Sequence, residues 1–274
     1  MSKIADLHIH THFSDSTSPP EEVVEQAYAA RVDCIGIADH DIVEGVAPTV
    51  KAAEKYGIEV IPGVELSTQA NGKDIHMLGY LFDYENPEMQ QKLLGMQHSR
   101  GERMRLMIHK LAEMGVSGID FDEVCSLTES GAVGRPHLAT VLVKNGVVPN
   151  MQAAFDRYLA DDRPAFVPKT KLTPTEGIEM IRSYGGVAVL AHPMFTRVDE
   201  LIPQFVDAGM QGLEVYYPNC TPKTTEYYAR IAKKHDLVAT GGSDAHGSAK
   251  KNTYLGKTTI PYEQVELLKD RVNG

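Results

Sequence analysis

Nowhere in this chain do apolar residues run for the roughly 18 to 20 positions that a bilayer-spanning helix needs, so no membrane segment is expected. Cysteine is scarce: Cys34, Cys125 and Cys220 are odd in number, far apart and without a CxxC pair, which excludes a disulfide framework and a thiolate metal clip. The opening MSKIADLHIH carries one lysine and passes directly into a histidine-rich strand, with no apolar signal region, and the expected location is the cytoplasm. Positive charge is also in deficit. Against 37 Asp and Glu stand 27 Lys and Arg, a net charge of −10 that argues against a broad basic face for duplex nucleic acid. The deficit is uneven, because ten Lys and Arg meet nine Asp and Glu between Gln97 and Lys171, leaving 17 cations against 28 acids elsewhere. Anion contacts are therefore expected in the middle of the chain. Repeats and low-complexity tracts are absent, and 274 residues with 42% hydrophobic content suffice for one large α/β domain or a barrel with an insertion.

What is present is an alternation of short apolar strands with amphipathic helices, the pattern of a parallel sheet with helices outside it. Strands are expected near Lys3–His8, Asp33–Ala38, Glu59–Ser67, Asp74–Tyr80, Gly186–Ala191, Gly212–Tyr216 and Leu237–Gly241. Seven strands in such alternation imply a closed or nearly closed barrel. From about Glu88 the rhythm turns helical, which predicts a small helical insertion over 97–166 between barrel segments 1–96 and 167–274.

Nine metal-compatible side chains sit where short apolar runs end: His8, His10, Asp15, His40, Glu65, His76, His192, Asp244 and His246. Residues two apart in a strand share a face, so His8 and His10 point together, beside Asp6. Asp39 and Asp41 flank His40 and either orient the imidazole or bind metal directly. Each group alone has an ordinary reading as an N-cap, a hydrogen-bonded histidine or a solvated acid. All nine at strand ends point instead to several divalent ions and hydrolytic chemistry, with Glu65 as a bridge that a lone buried carboxylate would otherwise need. Mixed imidazole and carboxylate ligands suit Mn²⁺, Fe²⁺ or Zn²⁺.

The runs DLHIHTHFSD, IADHD, AHP and GSDAHG, with PGVELS and IHMLGY between them, resemble the four motifs of the PHP (polymerase and histidinol phosphatase) family of metal-dependent phosphoesterases. The resemblance covers nearly the whole chain and implies a distorted (β/α)7 TIM-like barrel with two or three divalent ions. It assigns a first metal to His8, His10, Glu65 and Asp244, a second to Glu65, His76 and His192, and a third to Asp15, His40 and His246. Trinuclear members often carry histidine where this chain has Asp15. That aspartate, with GRPH (Gly134 to His137), resembles the subgroup of nucleoside 3',5'-bisphosphate phosphatases and 5'-to-3' exoribonucleases acting on short RNA.

The expected reaction is phosphate ester hydrolysis by a metal-bridging hydroxide, with Asp244, His192 and His246 in the catalytic step and His192 or His246 as proton shuttle. Arg135 is expected to grip a phosphate bidentately. His137 either donates to the same anion or begins the helix after Pro136, and Lys169 is a further substrate contact. The expected substrates are a small nucleotide such as pAp and short 5'-phosphorylated single-stranded oligonucleotides, with no duplex and no membrane. A histidinol-phosphate or general sugar-phosphate phosphatase, and a non-catalytic metal-binding regulatory domain, are the alternatives.

Overall fold

In the computed structural model, which describes residues 2–128, 133–168, 172–250 and 253–272, eight strands and eleven α-helices are found. The strands are β1 (Ile4–Ile9), β2 (Cys34–Ile37), β3 (Glu59–Ala70), β4 (Lys73–Tyr80), β5 (Val187–Leu190), β6 (Gly212–Tyr216), β7 (Val238–Gly241) and β8 (Ile260–Pro261). Between β1 and β3 lie α1 (Pro20–Ala29) and α2 (Val46–Ala53). Between β4 and β5 lie α3 (Pro87–Glu113), α4 (Phe121–Cys125), α5 (Arg135–Lys144), α6 (Met151–Ala154) and α7 (Pro174–Ser183). The last third adds α8 (Pro193–Thr196), α9 (Ile202–Asp207), α10 (Pro222–Lys234) and α11 (Glu263–Val272). Local chemistry starts these helices where the sequence places them. Proline with Glu21 and Glu22 opens α1, a Thr173–Glu176 capping box opens α7, and Thr221 caps α10.

The strands form one sheet in the order β7-β6-β5-β4-β3-β2-β1-β8. Its two sides meet where His10 N donates to Ala245 O at 3.0 Å, and the sheet is a nearly closed, TIM-like barrel. Two strands depart from the parallel pattern that the βα alternation implies: the two-residue β8, which pairs antiparallel with β1, and β4. Only Asn71 and Gly72 separate β3 from β4, both at positive φ (53° and 75°), so β4 runs antiparallel to β3 and to β5. Asn-Gly is the strongest short hairpin signal, because a primed turn needs two left-handed residues and its twist matches that of the strands.

Alternation along the strands sorts the side chains. Val64 and Leu66 of β3, Ile75 and Met77 of β4, and Leu213 and Val215 of β6 join the core shared with Ile178, Ile181 and Phe205 of the helices. On the opposite face, Ile61, Leu78, Tyr80, Val187 and Val189 form a second apolar cluster. Further along that same face β3 offers Glu65, β4 offers His76 and β6 offers Glu214. The barrel interior is thus apolar at one end and ionisable at the other.

A third apolar cluster, containing Met104, Met107, Leu111, Leu138, Leu142 and Leu159, belongs to the helical segment. Helix α3 serves two cores, with Met89 and Leu93 in the barrel cluster and Met104 onward in this one. Position 97, where the insertion is expected to begin, lies inside that unbroken helix. Arg103 Nε and Lys110 Nζ donate to the carbonyls of Val167 and Phe166 at 2.6 and 2.7 Å, tying the helix to the chain that returns to the barrel.

Glycine is required where backbones nearly touch. A Cβ on Gly36 would lie 2.4 Å from Leu7 O, whereas one on Gly72 would meet nothing but a left-handed backbone. Gly36→Ala is expected to cost about 2–3 kcal/mol through overpacking, and Gly72→Ala only about 1 kcal/mol through its positive φ. Urea unfolding of the two variants tests this, and equal losses would contradict it.

Candidate metal centre

The ionisable end of the barrel gathers all nine residues singled out by sequence. Glu65 is at the middle, only 1% exposed. Its Oε2 lies 3.2 Å from each of His8 Nε2, His10 Nε2 and His40 Nδ1, and its Oε1 lies 2.7 Å from His76 Nδ1 and 3.0 Å from His192 Nε2. Asp244 Oδ1 stands 3.2 Å from His10 Nε2 and 3.7 Å from His8 Nε2. On the outer side, Asp15 Oδ1 is 3.2 Å from His246 Nε2 and 3.8 Å from His10 Nδ1, and its Oδ2 is 3.7 Å from His40 Nε2. His10 and His40 therefore each turn one ring nitrogen toward Glu65 and the other toward Asp15.

Backbone irregularities aim these groups. The β1–β2 register shifts between Asp6 and Ile9, around His8, and the β6–β7 register shifts between Glu214 and Tyr216. His192 and Asp244 adopt positive φ, 26° and 49°, a costly conformation for non-glycine residues that clusters at functional sites.

So many buried ionisable groups perturb one another. Burial alone would raise the Glu65 carboxyl, but His40, His76 and His8 outweigh it and hold it well below the usual carboxylate range. Asp15 and Asp244 are likewise lowered against burial, each first by His246. Burial would lower His10, yet Asp244, Glu65 and Asp15 lift it to about 10, while burial takes His40 down to about 3.

The donor set fits divalent cations. His10 Nδ1 and Nε2, His40 Nδ1, His192 Nδ1 and Asp15 Oδ1 are buried without a hydrogen bond among the described residues, although carboxylate oxygens stand close by. Atoms bonded to one ion at roughly 2.0–2.2 Å lie about 3–3.5 Å from one another, which is the spacing seen here. Three groups have donor atoms all within 4.8 Å: His8, His10 and Glu65; His40, Glu65 and His76; and His10, Asp15, His40 and His246.

A supporting layer of acids holds the ligands. Glu214, 1% exposed, meets His8 Nδ1 at 2.8 Å through Oε1 and accepts from His192 N at 2.7 Å through Oε2. It directs His8 Nε2 toward Glu65 and pins the strained His192 backbone. Sequence reading passed it over, and its one signal is an acid between Leu213 and Val215 in an apolar strand. Asp39 accepts from Thr11 N and Oγ1 (2.7 and 2.6 Å) and from Ser14, shaping the turn before Asp15, so of the two roles offered it takes neither directly. Asp41 accepts from Ser67 N and from Arg100. Tyr217 Oη donates to Asp244 Oδ2 at 2.5 Å, and Lys250 reaches the same oxygen.

Beside the cluster opens a cleft of about 750 Å³ whose far wall carries Arg100, Arg103 and Arg135. Burial lowers Arg103 to about 10. Arg135 Nη1 donates to Leu159 O (3.1 Å) and Asp161 Oδ1 (2.6 Å). His137 turns away from the cleft: Nδ1 accepts from Gly134 N at 3.0 Å, and the ring bonds the Ser14 backbone. Burial lowers it, and from the first turn of α5 it ties that helix to the turn before Asp15. Lys169 lies outside the described residues.

Comparison with known proteins agrees with this geometry. The model for the PHP domain matches residues 6–160. A 5'-3' exoribonuclease of Haemophilus influenzae is 36% identical over 251 residues, covering 90% of this chain and 91% of that one. A 3',5'-nucleoside bisphosphate phosphatase of Chromobacterium violaceum is 31% identical over 259 residues, covering 92% and 90%. Among solved structures, a protein of Bifidobacterium adolescentis described as a metal-dependent phosphoesterase superposes with a TM-score of 0.89 at 31% identity over 97% of this chain and 96% of that one.

Glu214 supplies the test of the supporting layer. Glu214→Ala strands a buried imidazole nitrogen and a backbone N–H, at about 1–3 kcal/mol each, whereas Glu214→Gln retains an acceptor and loses less. An alanine variant that unfolds at the wild-type urea midpoint would refute this role.

Proposed function

The chain belongs to the PHP family, and on that footing we propose that it removes the 3'-phosphate from nucleoside 3',5'-bisphosphates and trims short 5'-phosphorylated single-stranded oligonucleotides. Its membership makes it a phosphoric ester hydrolase with a divalent metal requirement. The observation that carries the finer reading is the arginine wall. Arg100, Arg103 and Arg135 share one cleft with His40, His76 and His192, so a substrate with two phosphates can present one to the histidine cluster and the other to the guanidinium groups. A monophosphate such as histidinol phosphate leaves that second anion site unused.

Two or three divalent ions, Mn²⁺, Fe²⁺ or Zn²⁺, held by the nine gathered residues would neutralise the scissile phosphate, lower the pKa of water and stabilise the leaving oxygen. In this reading His192 or His246, both of which line the space above Glu65 and Asp244, passes a proton to that oxygen. Arg135 orients the distal phosphate, and Asp161 preorients Arg135. In this reading the helical segment carrying α3 to α6 caps the barrel mouth and narrows it to nucleotides and single strands. Among the described residues no helix is long and apolar enough to cross a membrane.

A substrate panel tests the reading: pAp, a 5'-phosphorylated oligoribonucleotide, histidinol phosphate and p-nitrophenyl phosphate, with and without chelator. Metal-dependent turnover of the first two is expected, and turnover of histidinol phosphate alone would sink the proposal. Arg135→Ala should reduce kcat/KM for pAp by roughly tenfold to a hundredfold, the worth of a lost charged hydrogen bond, and change p-nitrophenyl phosphate far less. Equal losses on both would remove Arg135 from substrate selection. Saturation with metal at about 100 times its Kd should stabilise the fold by about 2.7 kcal/mol, an increment that Glu65→Ala forfeits; an unchanged Tm on adding metal would count against the site.

A further inference from the structure

Next to the arginine-walled cleft, and sharing Phe195 and Arg197 with it, lies a second groove of about 760 Å³. The two regions are continuous: Phe195, Tyr217 and Lys250 line both the space above Asp244 and His246 and the groove beyond it. Phe195 stands at the junction with 63% of its surface exposed, its ring 5.1 Å from Tyr217 and 6.0 Å from His192. Its exposed ring at the mouth of a polar site is a face on which a base can stack.

The far wall of the groove is α10. Lys223, Tyr227 and Arg230 are spaced four and three residues apart and form one stripe along the helix. All three are exposed. Tyr227 is fixed from below, its hydroxyl donating to Asp199 at 2.9 Å while its ring packs edge-on against Tyr228 at 5.1 Å. The one carboxylate lining the groove, Asp199, is occupied by the Tyr227 and Tyr228 hydroxyls. Neither Lys223, Arg230 nor Arg197 opposite them forms an ion pair among the described residues. Uncommitted cations interleaved with exposed aromatic rings are what a flexible single strand needs, the rings stacking bases and the cations following phosphates.

The geometry points to a binding groove for the nucleotides that follow the scissile phosphate on its 3' side, with a first base against Phe195 and a second against Tyr227. Lys223, Arg230 and Arg197 meet the intervening phosphates. The groove rests on the nucleotide phosphoesterase reading and adds to it a directional track, with the 5'-phosphate at the arginine wall and the strand continuing past Phe195 along α10.

The test compares pAp with 5'-phosphorylated oligoribonucleotides of two to six residues on the metal-loaded enzyme. For the wild type, kcat/KM should rise over the first two or three added nucleotides and then level off. Tyr227→Ala should abolish part of that rise, a loss of about fivefold to a hundredfold for the longer substrates relative to pAp. Binding is read separately by anisotropy of a 3'-labelled phosphorothioate tetranucleotide. Lys223→Ala and Arg230→Ala, both exposed, should each flatten the salt dependence of log K by about 0.7, the release expected per phosphate on a single strand. Length-independent turnover, or tetranucleotide binding unaltered in all three variants, overturns the groove while pAp turnover leaves the phosphatase reading intact. Failure to turn over any nucleotide overturns that reading instead, and anisotropy still decides the groove.

Discussion

A carboxylate buried in the mouth of a barrel, Glu65, sets the terms for everything around it. Removing an ionised carboxyl from water is costly unless opposite charge and hydrogen bonds replace the solvent. Five imidazoles do so here, drawn from β1, β4 and the ends of β2 and β5, so the same chain segments that close the barrel are also held by the charge they surround. Glu214 repeats the device one layer out, and its two oxygens join the strand carrying His8 to the turn carrying His192. Metal affinity and barrel stability are consequently two readings of one electrostatic problem, since each ion bound satisfies groups that folding has already brought together.

The glycines and register shifts belong to that problem as well. Ligands must leave the regular strand direction to converge, and they do so where Gly36 and Gly242 allow backbones to approach within contact of Leu7 and His8. The strained φ values of His192 and Asp244 are tolerated because the surrounding hydrogen bonds overdetermine them.

Much of this was legible in the sequence, for identifiable reasons. His8, His10, His40, His192 and Asp244 stand at the ends of short apolar runs, and period-two strands force such positions to one rim. The reversed β4 was overlooked because its apolar pattern is the same in either direction, and only Asn71-Gly72 records the turn. Glu214 was missed because one acid in an apolar strand has no partner visible nearby in sequence; His8 is 206 positions away. Arg100 escaped because a cation on a 27-residue polar helix reads as solvated, whereas folding carries it to Asp41 and Ser67. His137 was seen as a residue but its role was decided by packing against the Ser14 turn.

Helix α3 has a geometric consequence of its own. Its 27 residues span about 40 Å at 1.5 Å per residue, clamped near one end by Met89 and Leu93 in the barrel and near the other by Met104, Met107 and Leu111. Arg100 lies roughly 10 to 16 Å along this beam from the barrel clamp, so a tilt of only about 5° there would swing it by about 1 Å. That is more than the tolerance of a hydrogen bond. Repacking at Met89 and Leu93 or at Met104, Met107 and Leu111 would therefore shift the Arg100 guanidinium relative to Asp41 and Ser67 while leaving the histidines untouched. The beam turns ordinary core packing into an adjustment screw for where that guanidinium stands.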